Sequence, residues 1–243
     1  MFTFPVGMFG GGGAIAEGGA NGTRFNGTSQ YISHSNATGF ADGKAATGSL
    51  WFNLNGRSGT DFMFAISDVF SATFGFNINA TTNTITIGVG STALQATSAT
   101  AISDTTNWHH LLFSFDLTDT NKRHVYIDDV LESMTWNTYT NANIDFAPAS
   151  PNYVVGARAG GDYFQGDLSE FWFDTGTYID FSVLANRRKF RTAGGMPRDV
   201  GANGSLPTGS APKIYLANGR TNTGTTATFT AFNNPTAVDG PNP

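Results

Sequence analysis

The stretch that decides the fold is Asn107–Glu132, with the sequence NWHHLLFSFDLTDTNKRHVYIDDVLE. It contains two runs of alternating side chains, Trp108–Asp116 and Arg123–Leu131, separated by the small polar residues of 117–122. The residues that share one face of the first run are mainly apolar: His109, Leu111, Phe113 and Phe115. This alternation predicts a β-hairpin in an antiparallel sheet that packs against a second sheet.

The composition favours a large β core under an uncharged surface. Of the 243 residues, 40% are hydrophobic and 21 are Phe, which is enough to fill such a core. Only 13% are charged, about half of the roughly 25% typical of globular chains. Solubility must therefore depend on Thr, Ser, Asn and Gly, as in extracellular sheets and particle coats.

Charge, cysteine content and hydropathy exclude several classes of function. The net charge of −5 and the lack of a long Lys/Arg run argue against binding to nucleic acid. Without cysteine there is no disulfide framework, thiolate metal site or cysteine nucleophile. The N-terminus lacks a secretory signal and no apolar run reaches bilayer length. We therefore expect synthesis in the cytoplasm without export, and no membrane insertion.

Residues 1–22 combine glycine tracts with large apolar side chains. Glycine tracts predict flexibility, whereas the apolar side chains need a surface on which to pack. The segment is therefore expected to be either a disordered tail or an arm that docks on a neighbouring subunit. The docking candidates are Phe2, Phe4, Met8 and Phe9.

Further strands are predicted at spacings of about ten residues, with no helix between them. They are Arg24–Ile32 (two short strands about Asn26-Gly27), Thr47–Leu54, Asp61–Ser67, Phe70–Ile78, Asn83–Val89, Leu94–Ala96, Tyr153–Arg158 and Phe164–Phe173. This spacing indicates a β-sandwich. A further short strand, Lys213–Ala217, is expected to return to the sandwich near the C-terminus.

One helix is predicted, over Tyr178–Thr192, with Ser182 as its cap and Gly194-Gly195 as its stop. Its end carries a basic cluster: Arg187, Arg188, Lys189 and Arg191. These cations suit the C-terminal end of a helix dipole, and Arg187, Arg188 and Arg191 are also candidates for contact with an acidic partner. A Gly/Pro-rich linker at 194–212 and a polar segment at 223–243 follow, the latter as a loose tail or second docking arm.

The hairpin motif resembles the central hairpin of concanavalin A-like jelly-roll domains of the laminin-G-like group. In that family a Trp-His opens a strand that ends near an Asp, and the partner strand carries a Tyr-Ile/Val-Asp-Gly turn, here Tyr126–Asp129. The segments RFNGTSQYI (24–32), GSLWFNL (48–54) and FQGDLSEFWFD (164–174) resemble family strands in the same order. The resemblance implies an all-β jelly-roll sandwich over 23–181, with a flexible N-terminal arm at 1–22. A short helix, linker, returning strand and tail follow over 182–243.

Residues 186–216 resemble the segment that follows such domains in bacteriophage virion proteins. The resemblance implies a non-enzymatic subunit on the virion surface, in a capsid decoration, a fibre or a tail accessory. Its partners would be other virion proteins, further copies of itself and cell-surface glycans. A free-standing lectin-like module is the alternative.

Catalysis is not favoured by the spacing of acids and histidines. The wider fold includes glycoside hydrolases, which need two carboxylates that flank one sugar bond. Asp167 and Glu170 are three residues apart, which places them on opposite faces of a regular strand. The side chains of His109 and His110 diverge and are expected to satisfy local polar groups. Hydrolysis is the less favoured alternative to a non-enzymatic protein.

Many laminin-G-like and lectin domains bind Ca²⁺ at one sheet edge through Asp, Asn and backbone carbonyls. The candidate ligands on one rim are Asp61, Asp68 and Asn77, and those in other turns are Asp128, Asp129 and Asp162. The chain has no calcium loop of fixed spacing, and these acids are equally suited to form turns.

Sugar binding is the main functional hypothesis, and it needs an exposed aromatic beside amide or carboxylate groups. Trp136, Asn137 and Tyr139 lie in a predicted polar loop, 133–143, with little apolar company. Asp162 and Tyr163 form the second candidate pair. Packing of Trp136 in the core or between subunits is the alternative.

Overall fold

The computed structural model describes residues 21–36, 38–55, 61–68, 71–159 and 161–241. Its elements are β1 (Asn21–Asn26), β2 (Tyr31–Ser35), β3 (Ala45–Asn53), β4 (Asp61–Asp68), β5 (Ser71–Ile78), β6 (Ile85–Ile87), β7 (Leu94–Ser98), β8 (His109–Asp116), β9 (Arg123–Ile127), β10 (Val130–Leu131), β11 (Met134–Tyr139), β12 (Pro151–Val155), β13 (Gln165–Thr175), α1 (Leu184–Arg187), β14 (Ile214–Leu216), β15 (Thr230–Phe232) and β16 (Thr236–Asp239).

The strands form two eight-stranded antiparallel sheets packed as a jelly-roll sandwich. Sheet A has the order β10-β9-β8-β3-β13-β1-β16, with β14 also paired to β13. Sheet B has the order β11-β7-β6-β5-β4-β12-β2-β15. The all-β, concanavalin A-like fold predicted from the sequence is confirmed.

Phenylalanine fills the space between the two sheets. Phe113 of sheet A meets Phe76 of sheet B edge-on, with ring centroids 5.3 Å apart. Gly48 lies beneath Phe113, where an added Cβ would come within 2.3 Å of the ring. Each large side chain buried here contributes roughly 1.5–3 kcal/mol of transfer free energy, so the high Phe content accounts for a core built without disulfides.

The turn at Tyr126–Asp129 that the resemblance implied divides the second half of the central hairpin. The predicted second strand, Arg123–Leu131, is divided into β9 and β10 by Asp128 and Asp129. Both turn residues have positive φ, 53° and 68°. This conformation fits a two-residue hairpin turn, and Asp tolerates it better than most residues do.

The predicted helix over Tyr178–Thr192 was too long, because only α1 is helical in this segment. Asp180 accepts hydrogen bonds from the backbone and hydroxyl of Ser182, and Val183 occupies the N-cap position without a capping side chain. The chain here follows the outer face of sheet A, the face turned away from sheet B. Apolar residues of this segment cover a second cluster on that face, formed by Leu112, Tyr126, Trp172, Ile179, Phe181, Phe190, Val200 and Tyr215.

The C-terminal segment is not a loose tail over its described residues. Its two short strands, β15 and β16, pair with β2 of sheet B and β1 of sheet A. The same segment therefore covers β1 and β2, whose backbone groups would otherwise be open to pairing, and supplies a terminal strand of each sheet.

Candidate functional site

Three aromatic side chains, Tyr31, Tyr163 and Phe232, form a partly exposed surface that we call the aromatic platform. Tyr31 and Phe232 are direct cross-strand partners on β2 and β15, and their rings stack 4.6 Å apart at 9°. The ring of Tyr163 lies 6.1 Å from that of Tyr31. Because Ile32 packs in the core, its neighbour Tyr31 points to the outer face of sheet B.

Two hydrogen-bonded loops frame the aromatic platform. The side chain of Gln30 donates to the carbonyl oxygens of Asn233 and Asn234, at 3.0 Å each. In return, the Asn233 amide donates to the carbonyl of Ser29 at 2.8 Å. The Asn26 side-chain oxygen accepts from three successive backbone amides, those of residues 28–30. These bonds hold the loops beside the rings in one arrangement before any ligand arrives.

Asp162, next to Tyr163, is engaged by contacts within the chain. Its carboxylate pairs with Arg158 at 2.6 Å, and the Arg158 guanidinium lies over the Phe62 ring at 5.4 Å. The Asp162 carbonyl accepts from the Phe62 backbone N–H, and Phe62 forms a bridge with Tyr163. The second predicted glycan pair is therefore brought together, with Tyr163 as the member that contributes to the platform.

The platform suits a ligand with an apolar face and neutral polar edges. Burial, with a contribution from nearby Tyr163, raises the pKa of Tyr31, so its hydroxyl stays neutral at physiological pH. Aromatic rings offer flat apolar surface, and their polar groups provide orientation. Two platform residues, Tyr31 and Phe232, and two residues of the framing loops, Asn233 and Asn234, were not among the sequence candidates. The one available signal was an aromatic residue followed directly by Asn233-Asn234 in a polar segment.

The first predicted glycan group lies on strand β11, at an edge of sheet B, and not in a loop. Trp136 packs against the core, and the Arg123 guanidinium lies 5.0 Å from its ring and 5.2 Å from that of Tyr139. The Tyr139 hydroxyl donates to the carbonyls of Asp116 and Lys122, at 2.9 Å each. Asn137 is exposed beside a bulge. Both rings therefore have cation and core contacts within the chain.

The three candidate Ca²⁺ ligands are not brought together on one rim. Asp61 and Asp68 end the eight-residue β4, so their backbones lie about 23 Å apart at roughly 3.3 Å per residue. Asn77 lies beside the Asp61 end, opposite Phe62. Within the described ranges, no group of three His, Cys, Asp or Glu residues could hold a metal ion. The residues present do not fit the Ca²⁺ site that the resemblance implied.

The acids of the β9–β10 turn, Asp128 and Asp129, bind the basic cluster within the chain. Asp129 pairs with Arg187 at 2.6 Å and Arg188 at 2.7 Å, and Asp128 pairs with Arg191 at 3.3 Å. Burial alone would raise the pKa of Asp129, but hydrogen bonds from the two arginines lower it below its ordinary value. These arginines fasten the segment around α1 to the central hairpin. The other docking candidates, Phe2, Phe4, Met8 and Phe9, lie outside the described residues.

The adjacent histidines satisfy local polar groups, as predicted. His109 Nδ1 lies 2.7 Å from Asp128 Oδ2, and His110 Nε2 lies 2.9 Å from Ser49 Oγ. Burial lowers the pKa of His110 to about 3. A histidine held neutral and stacked on Trp51 at 4.6 Å has a structural role.

The argument that Asp167 and Glu170 occupy opposite faces is wrong, because β13 contains a bulge. One extra residue lies between Ser169 and Trp172 relative to β3, and Glu170 adopts a φ of +49°. Both carboxyl groups consequently point to the outer face of sheet A. Arg24 donates to both oxygens of Asp167, at 2.7 and 2.8 Å, so this carboxylate is not free to act as a base or nucleophile.

The sequence matches the family model of the concanavalin A-like lectin/glucanases superfamily over residues 26–175. The chain therefore belongs to this family, whose name covers both binding proteins and hydrolases. A comparison with curated proteins found no match. In the described ranges, no helix is long and apolar enough to cross a membrane.

Two solved structures show the likeness of the fold beyond the matched region. One is a heptameric SAP-like pentraxin from Limulus polyphemus, with a TM-score of 0.57 and 12% identity, over 91% of this chain and 94% of that one. The other is a candidate carbohydrate-binding protein from Bacteroides ovatus, with a TM-score of 0.58 and 10% identity, over 91% of this chain and 60% of that one. At these identities the likeness concerns the fold alone.

Proposed function

We propose that this chain is a non-enzymatic carbohydrate-binding domain that holds a neutral glycan on the aromatic platform. The observation that carries the proposal is the stacked pair Tyr31–Phe232 with Tyr163 beside it, framed by loops fixed by Gln30 and Asn233. Family membership and the resemblance to a candidate carbohydrate-binding protein support it. The neutral rings and amides favour uncharged sugars over acidic ones.

A glycan array, followed by titration of the best ligand, tests this proposal. Phe232→Ala and Tyr163→Ala each remove apolar contact surface, and a loss of roughly 1.5–3 kcal/mol per ring corresponds to at least a tenfold drop in affinity. Leu206→Ala is the matched control, because it removes another exposed apolar side chain and should leave binding unchanged.

Two outcomes of these experiments would contradict the proposal. If the wild-type chain binds no glycan on the array, the proposed carbohydrate-binding function is contradicted. Affinity lost in Trp136→Ala but retained in Phe232→Ala would place the site on β11 instead. Circular dichroism of each variant checks that the fold is retained.

Glycoside hydrolysis is the second candidate, because the bulge in β13 brings Asp167 and Glu170 to one face. The bidentate contact of Arg24 with Asp167 opposes it. Release of reducing sugar by the wild-type chain, lost in Glu170→Gln, would support hydrolysis over binding alone.

The virion surface role remains a prediction that depends on the resemblance of residues 186–216, and the comparisons give it no support. In this role the chain would dock on capsid, tail or fibre subunits through residues 1–22. Purified particles should then contain the chain, and particles assembled without residues 1–22 should lack it. Its absence from wild-type particles would contradict the role.

A further inference from the structure

The outer face of sheet A carries a small recess, open at its mouth, with room for about one water-sized group. Four of its lining side chains are aromatic and come from four parts of the chain: Trp51, Trp172, Phe190 and Tyr215. Glu170 and Arg198 supply its charged groups. The recess lies away from the aromatic platform, which is on the other sheet, and the proposed glycan function does not use it.

Glu170 enters this recess because the chain adopts an unusual backbone conformation. In a regular strand, Glu170 would point to the same face as Leu168, which is the core face. The bulge and the φ of +49° direct it outward instead. A non-glycine residue in the left-handed region is strained, and such strain is concentrated at binding and catalytic sites.

The Glu170 carboxyl group has one hydrogen-bonding partner and no cation. The Tyr215 hydroxyl donates to Oε2 at 2.8 Å, which leaves Oε1 free for a ligand. Among the described residues, no Lys, Arg or His forms an ion pair with Glu170. Arg198 lines the same recess without reaching this carboxylate, and Arg191 is engaged by Trp51 and Asp128. A mostly buried carboxylate without a counter-ion is costly.

The other titratable groups around Glu170 do not supply the missing positive charge. Tyr215 and His110 are neutral at physiological pH, since burial raises the pKa of the first and lowers that of the second. Burial raises the pKa of Glu170 to about 7, the Tyr215 hydrogen bond opposes the rise, and the negative charge of Asp199 adds to it. At neutral pH, a ligand that brings a positive charge would therefore stabilise the ionised carboxylate.

We propose that this recess binds a small primary ammonium group, with Glu170 as its counter-ion and Trp172, Phe190 and Tyr215 as its aromatic partners. Aromatic walls attract cations through the ring quadrupole, and the attraction increases where water is excluded. An anionic ligand would be repelled by Glu170 and Asp199. The recess has room for about one water-sized group, so it admits the ammonium head, and a short carbon substituent lies at the open mouth.

Titration of the full chain with methylammonium chloride, against sodium chloride at equal ionic strength, tests the proposal. Trp51 and Trp172 line the recess, so tryptophan fluorescence should change with methylammonium and remain unchanged with sodium. Because only the ionised carboxylate binds a cation, apparent affinity should fall about tenfold for each pH unit below about 7. It should level off above about pH 8, and calorimetry should detect proton release near neutral pH.

Two variants and one control make the outcome decisive. Glu170→Gln should abolish methylammonium binding, and Glu132→Gln, which changes a glutamate on the far side of the central hairpin, should leave it intact. Tyr215→Phe removes the bond that opposes the rise in the Glu170 pKa, so it should move the pH dependence of binding upward. Equal responses to sodium and methylammonium would overturn the proposal. Binding by Glu170→Gln, or a pH profile unmoved in Tyr215→Phe, would also overturn it.

Discussion

At the scale of single residues, burial shifts the pKa values of titratable groups on the outer face of sheet A far from their ordinary values. Burial lowers the pKa of His110 to about 3, so this histidine is neutral at physiological pH. Burial without a nearby cation raises the pKa of Glu170 to about 7. That the two histidines satisfy local polar groups followed from their alternation on β8. The position of Glu170 did not, because no sequence pattern indicated the bulge that reverses its direction.

Glu170 is expected to make stability depend on pH. Its folded pKa of about 7 exceeds the ordinary value of 4.5. The protonated form therefore contributes stability that is fully present below about pH 4.5 and is lost as pH rises through 7. The loss is about 3 kcal/mol, at 1.36 kcal/mol per pKa unit. Urea unfolding of the wild type from acid to neutral pH should show it.

Glu170→Gln should remove this loss, because an amide does not ionise. The variant should be more stable than the wild type at pH 8 and about equal to it at pH 4. An identical pH dependence in the two chains would show that Glu170 is ionised without cost in the folded state.

At the scale of elements, the sequence predicted strands well where apolar alternation was uninterrupted. The predicted hairpin, with Trp108–Asp116 and Arg123–Leu131, became β8 and β9–β10 because its apolar face is buried. Secondary structure was predicted least well where ion pairs and packing on the outer face of a sheet determine the path of the chain. The predicted helix shortened to α1, and the predicted polar loop became the edge strand β11. Both segments take their conformation from distant partners, such as Asp129 and Arg123, that local propensity does not reveal.

The Asp129 pairs should contribute measurably to holding the α1 segment against the hairpin. Asp129→Asn keeps a residue that tolerates positive φ but leaves two partly buried arginines without a counter-ion. A hydrogen bond to a charged group contributes roughly 1.5–3 kcal/mol to stability. Partial exposure of Asp129 and the two arginines to solvent reduces that contribution. We therefore expect a loss of about 2 kcal/mol in urea unfolding.

Asp239→Asn is the control for Asp129→Asn, because Asp239 is exposed on β16 and makes no side-chain hydrogen bond among the described residues. It should change stability by less than about 0.5 kcal/mol. An equally small effect of Asp129→Asn would show that the ion pairs do not fasten this segment.

At the scale of the whole molecule, the C-terminal segment completes both sheets and also builds the aromatic platform. The sequence indicated the sandwich and its family but gave only short polar runs for this segment. Strands β15 and β16 are three and four residues long, which is too short for alternation to be recognised. The platform was missed for the same reason, since Phe232 meets Tyr31 only after the chain has folded.

Removal of this segment should weaken the whole sandwich. A chain that ends after Phe229 loses the pairing of β15 with β2 and of β16 with β1. At about 0.5–1.5 kcal/mol per hydrogen bond, stability should fall by about 3 kcal/mol or more. The newly open edges should also promote aggregation, which light scattering would detect. A chain that ends after Pro241 is the matched control, and equal stability of the two chains would contradict this role.

The central claim is that a neutral glycan lies on the aromatic platform. Nuclear magnetic resonance of the aromatic ring protons during titration with the best array ligand tests it most directly. The account predicts that the ring signals of Tyr31, Tyr163 and Phe232 shift together along one binding curve, while those of Trp136 and Tyr139 remain in place. Shifts confined to Trp136 and Tyr139, with the platform rings unchanged, would contradict it.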